Sequence, residues 1–272
     1  MMNIIDKGKS CGIVYHYTSL AAALSIICND GLKFHASRFD NMEDPFDSGY
    51  GFAVAQDVLE KQGVDFIDMD DHNYRPYVLS FCKKNDDFSM RRLYNAEVVL
   101  HIDSDMLLQE SVEKSDKIKG GDILYLTDSQ ITSFVANAYE HVFRLTGERE
   151  DLNFEAKAKC SFLKHPNYAV ENEWRLSYFE DFDLTNGNQR ESLLADSNKF
   201  VSEVKFKVNN GKTRIYRELT FDSKCLKGIT LFQHDMSDIM KTRDTLEIWL
   251  AKCGYAHDEV TIKITKTPKI NK

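Results

Sequence analysis

The sequence has little of what marks membrane, secreted or loosely folded proteins. It holds only 4 prolines and 13 glycines in 272 residues, too few for long disordered linkers. No segment approaches the ~18 consecutive apolar residues of a membrane-spanning helix. The stretch before Tyr17 contains no apolar run of signal-peptide length. We therefore expect a cytoplasmic protein without a membrane segment.

Several motifs of nucleotide and metal enzymes are also missing. The chain has no G-x-x-x-x-G-K-[ST] phosphate loop, no G-x-G-x-x-G dinucleotide fingerprint, no H-E-x-x-H and no G-x-S-x-G. Its 6 cysteines form no C-x-x-C pair, so we expect reduced, buried thiols and no zinc site. The net charge of −8 disfavours broad, non-specific binding to nucleic acid. These absences argue against several large enzyme classes.

The apolar residues follow strand and helix patterns in mixed order. Runs rich in β-branched and aromatic residues predict strands at 14–18, 32–36, 77–82, 96–102, 169–179, 199–208, 213–221, 228–232 and 260–265. Helical spacing of apolar residues predicts helices at 20–28, 52–62, 128–146, 152–163 and 235–253. Turn residues predict a loop over 38–51. This order predicts one α+β domain over residues 1–272, with a helical insertion around 128–163.

A histidine stands inside the first predicted strand, in Tyr15-His16-Tyr17-Thr18-Ser19. Alternation along a strand predicts that His16 shares a side with Thr18 and faces away from Tyr17. Two interpretations stay open. His16 is either a hydrogen-bonded structural histidine or a ligand-binding residue beside a helix N-terminus, which favours anions.

The segment Glu171-Asn172-Glu173-Trp174-Arg175 concentrates charge on one predicted strand. Alternation places Glu171, Glu173 and Arg175 on one face and Trp174 on the opposite, core-facing one. Such charges are costly when buried without partners. The charged face is therefore either a solvated outer surface or the wall of a cleft. In a cleft, a carboxylate can stabilise a developing cation or orient a sugar hydroxyl.

Two further segments carry candidate binding residues. Residues 40–47 are rich in acids, but they lack the glycine and terminal glutamate of an EF-hand, so we expect no calcium there. Asn41 is expected to fix this segment as a rigid loop at the edge of a pocket. Arg91 and Arg92 are the best local cations for a phosphate in the first hundred residues. The alternative is an ordinary surface pair of arginines.

The motifs together resemble a large bacterial family of unknown function. The chain carries, in order, Y-H-Y-T-S, F-D-N-x-x-D-P-F-D, V-L-S-F-C, S-M-R-R-L-Y and K-H-P-x-Y-x-x-E-N-E-W-R-L. Members of that family carry H-Y-T-S, N-D-P-F-E, L-S-F-S, M-W-x-x-Y and E-x-E-W-R-L in the same order. The resemblance spans nearly the whole chain. Each motif alone is a weak indication of the family, and the order and spacing of the motifs make the whole set specific.

The first strand, helix and strand also look like the start of the ADP-ribosyltransferase superfamily. This resemblance implies a split β-sheet core with flanking helices, and NAD as substrate without a metal. It implies that His16 orients NAD and that Glu173 is the catalytic glutamate, with Glu171 selecting or activating the acceptor. It further implies that Arg91 or Arg92 meets the pyrophosphate. The NAD-binding residues implied in all are Tyr17, Thr18, Ser19, Asn41, Phe46, Ser80, Phe81, Arg91, Arg92 and Tyr94.

Three functions follow as alternatives. The first is an ADP-ribosyltransferase or NAD glycohydrolase with a protein or nucleic-acid acceptor, acting as a toxin or an anti-phage effector. The second is a non-catalytic module that keeps the fold and binds a nucleotide-like ligand or a partner protein. The third is a metal-dependent nuclease that uses the acidic segment 40–47. Nothing in the sequence indicates the oligomeric state.

Overall fold

The computed structural model describes residues 10–39, 45–61, 63, 76–85, 88–115, 117–146, 159–179, 200–209, 211–233, 236–256 and 258–266. The strands are β1 (Ile13–Thr18), β2 (Ile27–Cys28), β3 (Gly31–Arg38), β4 (Tyr77–Cys82), β5 (Val98–Asp103), β6 (Ile118–Asp122), β7 (Leu124–Tyr125), β8 (Leu163–Lys164), β9 (Glu173–Tyr178), β10 (Lys205–Asn209), β11 (Lys212–Phe221), β12 (Leu226–Gln233) and β13 (Thr261–Lys266). The helices are α1 (Leu20–Ile26), α2 (Pro45–Lys61), α3 (Phe88–Leu93), α4 (Ser104–Lys114), α5 (Asp128–Thr146) and α6 (Met236–Lys252).

Eleven of these strands form one mixed sheet. Its main path runs β10-β11-β3-β4-β1-β5-β12-β13, with β2 beside β3, β9 on β4 and β6 on β9. The pairs are antiparallel except for β12 with β13. The strands β7 and β8 pair in parallel as a separate two-stranded sheet. The predicted α+β class is confirmed, and β13 lies at an edge of the sheet as its alternating pattern indicates.

The sheet divides at β4. One edge of β4 pairs with β9 over its whole length, from Tyr77 opposite Tyr178 to Cys82 opposite Glu173. The other edge changes partner: its first two residues pair with β3, and Cys82 pairs with Tyr15 of β1. The strands β3 and β1 therefore diverge along β4. Ser80 lies at the opening between them.

The two faces of the sheet are covered differently. On one face, α1, α4 and α6 cover a large core that includes Phe34, Phe81 and Trp174. The opposite face carries two smaller clusters. In the first, α2 and α5 pack around Val78, and in the second, α3 packs Met90 against neighbouring strands. A cleft lies between these two smaller clusters.

Gly31 permits the close packing of β3 on β11. Its φ of +116° lies in a region that residues with a Cβ avoid. A Cβ at this position would lie 2.0 Å from the carbonyl oxygen of Phe221. The hairpin of β2 and β3 therefore depends on glycine here, since Cys28 pairs with Gly31 directly after a two-residue turn.

The structure differs from the sequence prediction in two places near the cleft. Helix α2 begins at Pro45, so the predicted loop over 45–51 is wrong; proline suits the first turn because it lacks an N–H and fixes φ. The predicted strand over 169–179 begins only at Glu173, because residues Pro166–Glu171 form a 3-10 helix. Asn172 ends this helix in the left-handed region, with φ of +43°.

The predicted insertion is only partly within the described residues. Helix α5 covers Asp128–Thr146 as its apolar spacing predicts, and Ile131 and Val135 are buried. Residues 152–158 of the second predicted helix lie outside the described residues, and its last residue, Leu163, belongs to β8. Helix α4 and strand β6 had no predicted counterpart. Among the described helices, none combines the length and apolarity needed to cross a membrane.

Candidate functional site

A cleft of about 450 Å³ opens where the sheet divides at β4. Its walls come from β1, β3, β4, β9, β11, the end of α3 and the 3-10 helix. Seven of the residues singled out from the sequence line it, and they are His16, Tyr17, Ser80, Phe81, Tyr94, Glu171 and Glu173. The fold therefore brings together residues that are more than 150 positions apart in the chain, because β4 lies between β1 and β9.

Glu173, at the start of β9, is a buried carboxylate with both oxygens paired. Its Oε1 accepts a hydrogen bond from Arg175 Nε at 2.7 Å, and its Oε2 lies 2.6 Å from Lys164 Nζ. Its backbone N–H donates to the Tyr125 hydroxyl at 2.9 Å. Burial by itself raises the pKa of Glu173, but the charges and hydrogen bonds of Arg175 and Lys164 outweigh it and lower the pKa to about 2. Glu173 is therefore anionic at neutral pH.

Glu171 joins this group by a different route from the one its sequence spacing predicts. It ends the 3-10 helix and is not on the strand, yet its Oε2 accepts a hydrogen bond from Lys164 Nζ at 2.5 Å. Lys164 is 2% exposed and lies beneath the ring of Tyr168, 5.7 Å from its centroid. The two glutamates are thus neighbours through a shared lysine and not through strand alternation.

Arg175 is completely buried and holds β9 against its surroundings. Its NH1 donates to the carbonyl oxygen of Ser161 at 2.6 Å, and its guanidinium lies 5.8 Å from the centroid of Phe39. Trp174 is also completely buried on the opposite face, as predicted. The solvated-face interpretation of this strand is wrong, because β7, β8 and the 3-10 helix cover the side that carries Glu173 and Arg175.

Ser80 and Glu173 lie on the same face of neighbouring strands. Ser80 pairs with Arg175, and Cys82 pairs with Glu173. Residues directly opposite each other in an antiparallel pair share a face, as do residues two apart on a strand. The Ser80 hydroxyl is buried and has no hydrogen-bond partner among the described residues. A ligand in the cleft can supply that partner.

His16 enters the cleft through the opening between the strands. Its ring packs edge-on against Phe34 and Phe81, with centroids 5.3 and 5.8 Å away, which places it on the face opposite Glu173. The side chain is half-buried and hydrogen-bonds to the backbone of Ser80. Desolvation lowers the pKa of His16 to about 4, although the hydrogen bond to Ser80 opposes this. His16 is therefore neutral at physiological pH.

Tyr17, Phe81 and Tyr94 contribute aromatic surface to the cleft. The hydroxyl of Tyr17 also donates to the carbonyl oxygen of Lys84 at 2.9 Å, which fixes its ring. Tyr94 is exposed at the rim, directly after α3. Tyr94 is the exposed planar side chain among them on which an aromatic ring can stack, because Tyr17 and Phe81 are buried.

Thr18 and Ser19 directly precede α1, and Ser19 has a structural role there. Neither is among the described residues that line the cleft. Ser19 caps α1, since its hydroxyl accepts a hydrogen bond from Ala22 N at 3.2 Å, and the Glu97 carboxylate accepts one from Leu20 N at 2.9 Å. The N-terminus of α1 is thus capped by the protein's own side chains. It lends no support to the anion site expected beside His16.

The two predicted phosphate contacts point elsewhere. The Arg91 guanidinium lies over the ring of Phe232, 4.4 Å from its centroid, and Arg92 is exposed on α3. Neither arginine is among the described residues lining the cleft. Asn41 and the side chain of Phe46 lie outside the described residues, as do residues 40–44 of the acidic segment.

Sequence reasoning gave no role to three residues that the structure brings to this region. Arg214 of β11 lines the cleft from the side opposite the glutamates and pairs with Lys207 in the ladder. Lys164 and Tyr168 stand in the K-H-P-x-Y motif directly before the glutamates. This motif could have indicated that Lys164 and Tyr168 lie near the site. Strand β8 has two residues, too few for alternation to predict where Lys164 lies.

Comparison of the chain with protein-family models, with curated proteins and with solved structures gives no match. The resemblance drawn from the motifs therefore stays a prediction. Over the described ranges, no three histidine, cysteine, aspartate or glutamate side chains are grouped so as to hold a metal ion. The six cysteines are thiols and not disulfides, and four of them are buried as predicted, whereas Cys11 is exposed and Cys28 is partly exposed.

Proposed function

We propose that the cleft binds NAD and cleaves the bond between ribose and nicotinamide, transferring ADP-ribose to a protein or nucleic-acid acceptor or to water. The observation that carries this proposal is the meeting of His16, Ser80 and Glu173 in one cleft where the sheet divides. A protein with this activity would act as a toxin or in anti-phage defence. The coarser α+β architecture is compatible with an ADP-ribosyltransferase-like core.

Cleavage of the bond between ribose and nicotinamide requires a carboxylate beside the ribose. As the bond to nicotinamide stretches, positive charge develops on the sugar, and an ionised carboxylate stabilises it. Glu173 suits this role because its pKa of about 2 keeps it ionised. A carboxylate has about four acceptor sites, and Lys164 and Arg175 use one on each oxygen of Glu173. Acceptor capacity remains for a ribose hydroxyl.

The other cleft residues support binding of the two ends of NAD. The buried Ser80 hydroxyl can bond to the nicotinamide amide, and neutral His16 can orient the neighbouring ribose. Arg214 lines the other side of the cleft and is the one arginine among the described lining residues, so we assign the pyrophosphate contact to it. In this proposal it takes the role that the motifs suggested for Arg91 or Arg92.

A second candidate function is a non-catalytic module that binds a nucleotide-like ligand. One observation favours it. The charges of Glu171 and Glu173 are balanced within the protein by Lys164 and Arg175, so the group of four is neutral. A neutral group stabilises a cationic transition state less than an unbalanced carboxylate does. Binding alone does not need that stabilisation.

One assay separates these functions. The purified protein is incubated with NAD, with and without divalent metal and chelator, and released nicotinamide is measured. We expect release that does not depend on metal. The variant Glu173→Gln should lose it by about 100-fold or more, while Glu203→Gln, at an exposed position, should retain it.

Each other outcome points to a different function. Full activity of Glu173→Gln would refute the catalytic assignment. Binding of NAD without release would favour the binding module. Failure to bind NAD, together with chelator-sensitive cleavage of nucleic acid, would favour a metal-dependent nuclease that uses the acidic segment 40–47.

A further inference from the structure

A buried lysine joins the two carboxylates of the cleft wall. Lys164 Nζ lies 2.5 Å from Glu171 Oε2 and 2.6 Å from Glu173 Oε2. The glutamates are among the described residues that line the cleft, whereas Lys164 and Arg175 are not. The wall therefore has two layers. Carboxylate groups form its surface, and the cations that balance them lie behind.

Two carboxylates this close cannot both stay ionised without a cation between them. Like charges at short range raise the pKa of one group until it binds a proton. A protonated carboxyl group would present a hydroxyl donor to the ligand in place of an acceptor. Arg175 contacts Glu173, whereas Lys164 contacts both glutamates. The ammonium of Lys164 is thus the charge that the two glutamates share.

We propose that Lys164 is a positioning residue that keeps Glu171 and Glu173 both ionised, so that this wall of the cleft presents only hydrogen-bond acceptors. A surface made only of acceptors selects ligands with neighbouring donors, and the hydroxyls of a ribose ring are such a pair. The choice of ribose rests on the proposed function. The role of Lys164 itself does not.

Lys164 also fixes the distance between two separate elements. It reaches from β8 to the end of the 3-10 helix and to the start of β9. Tyr168, in the same 3-10 helix, covers its ammonium. By contacting both carboxylates, Lys164 contributes to their spacing in front of a ligand.

The titratable and charged groups around the pair come from four elements. Lys164 belongs to β8, Arg175 to β9 and Tyr168 to the 3-10 helix, while the Tyr125 hydroxyl of β7 accepts the backbone N–H of Glu173. His16 lines the same cleft from the opposite face and is neutral at physiological pH. Removing the charge of Lys164 leaves the guanidinium of Arg175 in contact with Glu173.

The first test follows the carboxyl groups directly. Protein labelled with ¹³C in glutamate is titrated by NMR, with signals identified through Glu171→Gln and Glu173→Gln. In the wild type, neither carboxyl should titrate above pH 5. In Lys164→Met, one of them should titrate above about pH 5. Lys164→Gln keeps polar contacts without the charge and should give the same result, which covers the case in which Lys164→Met does not fold.

Two further variants separate charge from packing. Lys164→Arg keeps the positive charge and should restore the wild-type titration. Lys227→Met removes a partly buried ion pair with Asp103, and neither residue is among those that line the cleft, so this variant should leave the titration of the two glutamates unchanged. If both neutral variants titrate as the wild type does, the proposal is overturned. The same holds if Lys164→Arg behaves like the neutral variants.

The second test measures how the KM for NAD depends on pH. In the wild type, the KM for NAD should be nearly constant from pH 8 to pH 5, whereas in Lys164→Gln it should rise about fivefold or more as one carboxyl binds a proton. A rise of equal size at all pH values would indicate a merely structural role and contradict the proposal. If the wild type has no NAD turnover, the proposed function fails, and the NMR titration still decides the role of Lys164.

Discussion

The burial of Glu173 makes a quantitative prediction about stability at different pH values. The pKa of this carboxyl falls from 4.5 to about 2 on folding, because Arg175 and Lys164 outweigh the effect of burial. A group whose pKa is lowered in the folded state stabilises that state above its unfolded pKa. This stabilisation is lost as the pH falls through the folded pKa.

The change of pKa sets the magnitude. Each tenfold change in proton affinity corresponds to about 1.4 kcal/mol, so the ionised Glu173 contributes about 3 kcal/mol at pH 7. At pH 3 the unfolded carboxyl is almost fully protonated and the contribution falls to about 1 kcal/mol. Glutamine has nearly the shape of the protonated acid. The variant Glu173→Gln should therefore be less stable than the wild type by about 3 kcal/mol at pH 7 and by about 1 kcal/mol at pH 3.

The assay is urea unfolding at several pH values, followed by the fluorescence of the two tryptophans, Trp174 and Trp249. Titration of carboxyl groups distant from Glu173 affects both proteins equally and cancels in the difference. Glu203→Gln, at an exposed position, serves as the control and should match the wild type throughout. A difference between wild type and Glu173→Gln that stays constant from pH 7 to pH 3 would refute the reasoning. A loss of about 3 kcal/mol is smaller than the stability of most domains, so the variant should remain folded for activity measurements.

Two other predictions concern backbone strain and ligand charge. Gly31→Ala should lower the free energy of unfolding by about 3 kcal/mol, because the new Cβ meets the Phe221 carbonyl at an unfavourable φ. Gly211→Ala, in open space at φ of +74°, should cost about 1 kcal/mol in the same urea titration. Arg214→Glu should weaken NAD binding in calorimetry by roughly tenfold or more, while Arg92→Glu, outside the cleft lining, should not; equal effects would contradict the assignment of Arg214.

The local patterns of the sequence were sufficient for two strands of the cleft and for one helix outside it. Strands β1 and β4 and helix α5 lie where alternation and helical spacing predict them, because each pattern needs only neighbouring residues. The same patterns failed at 45–51 and at 169–172. In the first segment, the glycines and acidic residues are typical of a loop, but the segment forms the start of a helix that begins at proline. In the second segment, apolar and polar residues alternate as in a strand, but the residues form the end of a 3-10 helix.

The residues of the cleft were predictable to different degrees. His16, Ser80 and Glu173 stand in motifs that mark them in the sequence, and the order of the strands brings them to one cleft. Arg91 and Arg92 looked equally suitable for a ligand. A short helix turns Arg91 onto Phe232, and no sequence pattern reports that direction.

The sequence by itself determined the α+β class, most of the strands and the residue types available for chemistry. Tertiary structure alone decided which charges meet. Lys164 lies on a strand of two residues that pairs with Tyr125, far away in the chain, and from there it reaches Glu171 and Glu173. Local periodicity cannot report such contacts, because they depend on how β7, β8 and the 3-10 helix pack over β9. The same packing buries Glu173 and Arg175 on a strand whose alternation equally allowed a solvated face.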